Sequence, residues 1–204
     1  MSKHTGRVYL FIMAAAIVAS VITAGCGGGG GDGVAATANG TVRDDASLQG
    51  IAGVDVTCGG ASTTSDQDGA FSLSTTSGTR TLVFSAADYV RQEVTPTLGA
   101  GANDVGTVYL APALLTGKGA VQGTVYQAGT PLGGAIIQSG TAQAISKADG
   151  GFGIHNVSPG QQVLTAVSPD TQFSGYAVVQ VAAGETLTGV TIDLSLAPPG
   201  PPIF

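Results

Sequence analysis

The chain has 204 residues, of which 33 are Gly and 10% are charged, with six Phe, five Tyr and no Trp. Short Val, Ile, Leu and Thr runs divided by Gly, Pro, Asp and Asn are the composition of an all-β protein and exclude a helical one. The formal net charge is −6, and beyond residue 25 five basic residues face 13 acidic ones, a balance that repels phosphate backbones and excludes nucleic acid as a partner.

Lys3, His4 and Arg7 precede an apolar run from Val8 to Ile22. A basic start and a run of about fifteen apolar residues make an export signal, shorter than the ~20 that a spanning helix needs. The run leads into Thr23-Ala24-Gly25-Cys26, which resembles the lipobox of bacterial lipoproteins, with Thr23 where that family usually has an aliphatic residue. The resemblance implies a signal peptide over 1–25, cleavage between Gly25 and Cys26, and acylation (palmitate included) of Cys26. Several acyl chains on one residue anchor far more firmly than one. Gly27, rather than Asp, after the Cys implies sorting to the outer membrane, with the protein in the periplasm or exposed at the surface.

Residues 26–37 are a Gly-rich tether. About ten such residues behave as coil and hold a domain roughly 15–20 Å from the lipid. A phosphate-binding loop is excluded, because no strand precedes the glycines and no Lys-Ser or Lys-Thr follows them.

A first unit spans 38–112. Asn39–Arg43 reads as a strand, Asp44-Asp45 as a turn, and Val54, Val56 and Cys58 share one face of the next strand. Thr79–Ala86 reads as one longer strand, Ala87-Asp88-Tyr89 as a turn, and Val105–Leu110 as the closing strand. Asp68-Gly69-x-Phe71 recurs 81 residues later as Asp149-Gly150-x-Phe152, and Gly40-Thr41-Val42 recurs 83 residues later as Gly123-Thr124-Val125. Asp-Gly favours a tight turn, and an aromatic two residues on points into one face of the departing strand. A second unit therefore spans 118–198, in the same order. Tyr176 answers Tyr89, and Leu196-Ala197-Pro198 answers Leu110-Ala111-Pro112. In Val163–Val167 both phases of the alternation hold apolar residues, so the inward set stays open. Thr116–Gly119 is a short linker, and 199–204 form a Pro-rich tail expected to be extended.

Gly-x-Val, Pro131-Leu132-x-Gly134-Ala135, Asp149-x-x-Phe152 and Pro159-Gly160 resemble the carboxypeptidase regulatory-like domain. The first unit lacks the Pro-Leu pair and the Pro before Gly78. The resemblance implies two tandem seven-stranded Greek-key β-sandwiches of the transthyretin-like (prealbumin-like), carbohydrate-binding-like group, a fold of add-on modules that support, space or adhere.

No catalytic constellation is expected. Zinc peptidase chemistry needs several His or Glu ligands, and beyond the signal the only histidine is His155, expected on a solvent-facing strand position. Asp66-x-Asp68-Gly69 is too short for a calcium loop, and Lys147 replaces Asp66 in the second copy, so the shared feature is the turn. Cys58 is expected in the core. The lysine–asparagine cross-links of pilin modules are not expected, since Lys118 and Lys147 fall in a linker and a turn. No metal or cofactor is implied. The expected function is a non-catalytic, lipid-anchored cell-envelope protein acting as a structural, adaptor or adhesion module. Its partners would be the membrane, through Cys26, and an envelope protein or a polysaccharide. The alternative is a carbohydrate-binding surface lipoprotein, with Tyr109 and Tyr126 pointing outward to stack on sugar rings.

Overall fold

The computed structural model describes residues 33–196, so the signal, Cys26 and the 199–204 tail lie outside the described residues. The described residues belong to one compact unit and hold strands and turns but no helix. In chain order the first strands are β1 (Ala35–Asp44), β2 (Asp55–Cys58), β3 (Ala61–Thr64), β4 (Ala70–Thr76), β5 (Gly78–Thr79), β6 (Leu82–Ser85), β7 (Gln92–Val94), β8 (Thr97–Leu98) and β9 (Gly101–Leu110). They continue as β10 (Gly119–Gln127), β11 (Thr130–Pro131), β12 (Ile136–Ser139), β13 (Ala142–Ile145), β14 (Gly151–Val157), β15 (Gly160–Val167), β16 (Phe173–Val181) and β17 (Thr186–Leu196).

In the first half β1 lies between β4, antiparallel, and β9, parallel, while a second sheet runs β3-β2-β6-β7 and a short pair joins β5 to β8. The second half repeats this: β10 lies between β14 and β17, and β13-β12-β15-β16 form the other sheet. There the two sheets also join at one edge, where β16 pairs β17 at Phe173–Leu196 and Ser174–Ser195. Each half buries its own core: Val42, Val56, Leu73, Leu82, Phe84 and Leu110 in the first, Val125, Ile137, Ile154, Leu164, Ile192 and Leu194 in the second.

The strand interiors follow the alternation. Val54, Val56 and Cys58 are buried together, and in β15 the inward set is Leu164 and Ala166. Three expectations are corrected. The Thr79–Ala86 strand is broken: the amide of Arg80 donates to the Pro96 carbonyl and its guanidinium to the carbonyls of Thr76 and Ser77, which turns the chain between β5 and β6. Leu110 is answered by Leu194, not Leu196. Both are buried, and they oppose Asp44 and Gln127 at the ends of the matching parallel ladders, whereas Leu196 is 72% exposed. Tyr176 does not answer Tyr89: it stands in mid-strand on β16, 70% exposed, while Tyr89 sits in a bridge to Pro112.

The repeated motifs explain one another. Phe71 pairs directly with Gly40 across β1–β4, and Phe152 with Gly123 across β10–β14. A Cβ on either glycine would lie 2.9 Å from a ring carbon of its phenylalanine. The Gly-Thr-Val and Asp-Gly-x-Phe motifs are therefore the two sides of one contact. The serines ahead of the Asp-Gly turns repeat as closely. Ser65 donates to the Ile51 carbonyl at 2.7 Å and accepts from the Val54 amide at 2.9 Å; Ser146 donates to Leu132 and accepts from Ala135 at the same two distances. Both serines are buried. Ser65→Ala and Ser146→Ala each strand a buried amide and a carbonyl and are expected to cost about 1–3 kcal/mol. Equal losses in chemical denaturation would mark one device used twice; a loss in only one copy would refute that equivalence.

Candidate functional site

A group of ionisable side chains lies where the first half meets the second. It starts with a turn. Asp44 closes its own half: its Oδ1 accepts from the amides of Ala46 and Ser47, and its Oδ2 accepts from the Tyr89 hydroxyl at 3.0 Å. Burial first, then the bond to Asp44 and the charge it carries, push the Tyr89 hydroxyl up to about 12. Asp45, the next residue, turns the other way. Its amide donates to the Leu110 carbonyl of its own half, while its carboxylate enters the second half. There it meets the Lys147 ammonium and, at 3.2 Å, Nε2 of His155.

Ala46 packs against the second core, and its carbonyl accepts from the Ile145 amide at 2.8 Å. Two further bonds tie the connecting segment to the second half: the Leu115 amide donates to Asn156 Oδ1 at 2.8 Å, and Lys118 Nζ to Ser158 Oγ at 3.1 Å. Asn156 holds a left-handed backbone, φ 61°, which Asn tolerates better than most residues.

His155 corrects the expectation of a solvent-facing histidine: it is 8% exposed. Alternation puts Ile154 inward on β14 and His155 outward, just as Leu73 lies inward and Ser74 outward and exposed on β4. In the second half that outward face is covered by the Asp45 turn. Gly153 makes the space. A Cβ there would overlap Asp45 Oδ2 and lie 3.1 Å from His155 Nε2, and its counterpart in the first half, Ser72, is exposed.

Burial alone would raise the Asp45 carboxyl. The bonds from His155 and Lys147, with their charges, outweigh burial and hold it below the ordinary carboxylate value. Lys147 also stands over the Tyr109 ring, 4.5 Å from its centroid, a cation–π contact that places a first-half aromatic against a second-half cation.

Of the other sequence-selected residues, Tyr109 reaches this junction and the rest do not. Tyr109 is half-buried beneath Lys147, and Tyr126 is half-buried on β10, opposite Pro131 on β11. Cys58 is a buried free thiol accepting from Thr75 Oγ1 at 3.7 Å. Asp66 serves its turn, its Oδ1 accepting from the amides of Asp68 and Ala70, as Asp149 does for Gly151. Among the described residues no group of three His, Cys, Asp or Glu could hold a metal ion, and no helix is long and apolar enough to cross a membrane.

No protein-family description matches the sequence, and neither does any curated protein. Several solved structures share a partial likeness at low identity. A type II cohesin–X-dockerin complex from Acetivibrio cellulolyticus is 20% identical, with 37% of this chain and 56% of that one covered and a TM-score of 0.33. The TIE protein of Bacillus anthracis is 12% identical, with 78% and 34% covered and a TM-score of 0.33. The minor pilin GBS52 of Streptococcus agalactiae is 13% identical, with 84% and 100% covered and a TM-score of 0.32. This chain thus spans just over half of the first and a third of the second.

Proposed function

We propose that the chain is a non-catalytic, lipid-anchored protein of the bacterial envelope in which two seven-stranded transthyretin-like modules, over 38–112 and 118–198, act together as one rigid spacer and adaptor. The matching strand orders and the duplicated Ser65 and Ser146 bonds support two copies of one module. The lipobox-like Thr23-Ala24-Gly25-Cys26 and the glycines after it support a Cys26 anchor at the outer membrane.

The buried Asp45–Lys147–His155 cluster carries the adaptor reading. A buried carboxylate held by the Lys147 ammonium and the His155 ring fixes geometry at a cost in desolvation. A fixed angle between modules is useful to a protein that positions something else. As a site of chemistry the cluster is poorly equipped. Its carboxylate is already bonded to both Lys147 and His155.

In-cell cross-linking of the tagged full chain, followed by mass spectrometry, tests the proposal. It is expected to capture one dominant envelope protein, with the capture lost in Cys26→Ser as the chain leaves the membrane. Capture of polysaccharide alone, or an unchanged membrane fraction for Cys26→Ser, would overturn it.

A further inference from the structure

In the second half the two sheets meet along β16 and β17, and then part. Ser174 on β16 pairs with Val167 on β15 and with Ser195 on β17. The β16–β17 ladder ends there. Continuing its register sets Tyr176 opposite Asp193, and Thr165 follows on β15 as the partner of Tyr176. A trough of about 810 Å³ opens at this place, lined by Val163, Thr165, Ser174, Tyr176, Asp193 and Ser195 with their backbone neighbours. Small-molecule sites occupy about 300–1,000 Å³.

Small residues let the trough form. Ala166 and Gly175 pair across β15–β16 where the first half has Phe84 and Gln92. A Cβ on Gly175 would lie 2.3 Å from the Asp193 carbonyl oxygen, so glycine is what lets β17 approach β16 and brings Asp193 and Tyr176 into one trough.

The lining is chemically mixed. The Tyr176 ring is 70% exposed. Asp193 is exposed and enters no ion pair among the described residues. Thr165, Ser174 and Ser195 add three hydroxyls, each a donor and an acceptor; Thr165 makes only a long bond, 3.4 Å, to the Gln138 carbonyl. At the matched positions the first half has Val83, Glu93 and Tyr109 in place of Thr165, Tyr176 and Asp193. The sandwich itself therefore does not need this set.

We propose that the trough binds a neutral pyranose chain. A pyranose has a C–H face that packs on an exposed aromatic ring, and hydroxyls around its rim. Tyr176 supplies the ring. The Asp193 carboxylate accepts from sugar hydroxyls in charge-assisted bonds, and the three side-chain hydroxyls complete the rim. Asp193 and the net charge of −6 repel acidic sugars. Tyr126 is the partner of Asp193 on β10, so tyrosines stand on the strands either side of that carboxylate, an arrangement that suits a chain of sugar units better than a single ring. The sugar contact expected at Tyr109 and Tyr126 thus shifts to Tyr176, since Lys147 already stands over the Tyr109 ring.

The test titrates the isotope-labelled full-length chain, in zwitterionic detergent, with maltohexaose, cellohexaose and hexagalacturonate, and follows its NMR signals. At least one neutral hexamer is expected to shift the signals of Thr165, Tyr176 and Asp193, and hexagalacturonate none. Tyr176→Ala, at an exposed position, is expected to weaken binding about tenfold with thermal unfolding unchanged. Asp193→Asn, which keeps an oxygen acceptor and loses the charge, is expected to weaken it about threefold. No response to either neutral hexamer, equal binding of hexagalacturonate, shifts confined to other residues, or binding indifferent to Tyr176→Ala would each overturn the proposal. The trough shares no residue with the Asp45 junction or with Cys26, so its failure would leave the spacer reading standing.

Discussion

Asp45→Ala is expected to lower the stability of the protein by about 2–4 kcal/mol, because it leaves Lys147 and His155 facing each other without their shared carboxylate. The loss sits toward the lower end of what breaking a buried pair costs, since 23% of the Lys147 side chain is in water and can resolvate. Gly153→Ala should reproduce much of the effect without touching a charge, by putting a methyl group where Asp45 Oδ2 lies. The pH dependence separates this ion cluster from ordinary packing. Asp45 titrates below its ordinary 3.8 in the folded protein, so in acid the unfolded chain takes up the proton first. Its contribution is complete above the ordinary carboxylate range and drains away as the pH falls below about 4. Urea denaturation should therefore show a wide gap between the native protein and Asp45→Ala at pH 7 and a narrower one at pH 3. An equal gap at both would mean that the side chain acts through volume alone.

Much of the fold is legible in the sequence because it is written in local terms. Alternating Val54, Val56 and Cys58, the Asp-Gly turns, and the copies 81 to 83 residues apart each need only a short window to read. The junction is not legible in that way. Asp45 reaches Lys147 and His155 over separations of 102 and 110 residues, and nothing near Asp45 announces the contact. His155 misleads for the same reason: its strand phase points outward, and only the covering turn from the other half makes outward mean buried. One signal was available. Gly153 and His155 stand where the first copy has Ser72 and Ser74, and a difference between copies at matched outward positions marks where one copy meets something that the other does not. Thr165, Tyr176 and Asp193 stand where the first copy has Val83, Glu93 and Tyr109, a difference of the same kind.

The divergence of the copies bears on how the chain works. Shared positions maintain the sandwiches: Phe71 and Phe152, Ser65 and Ser146, Gly40 and Gly123. Unshared positions carry what is particular to the pair, namely the Asp45 junction and the Tyr176 trough. Two sandwiches that keep one interior and differ outside are not redundant.

A large backbone effect is expected at Gly123. Its Cα opposes Phe152 on β14 and Val190 on β17, at the point where the parallel ladder shifts register. A Cβ there would overlap the Val190 carbonyl oxygen and press on the Phe152 ring at 2.9 Å. Backbone on one side and a core ring on the other leave it no way out, and Gly123→Ala should cost about 3 kcal/mol or more. Gly40→Ala meets the Gly106 carbonyl at 2.6 Å and the Phe71 ring at 2.9 Å, so it should cost somewhat less while disrupting the same contact. Gly60→Ala, with nothing within 4 Å of the new methyl group, is the control and should change stability by less than about 0.5 kcal/mol. Adding Phe152→Leu to Gly123→Ala tests which neighbour decides the outcome. If the ring dominates, the double variant recovers stability relative to the sum of the singles. If the Val190 carbonyl dominates, the two losses add, and the glycine is there for the parallel strand rather than for the phenylalanine.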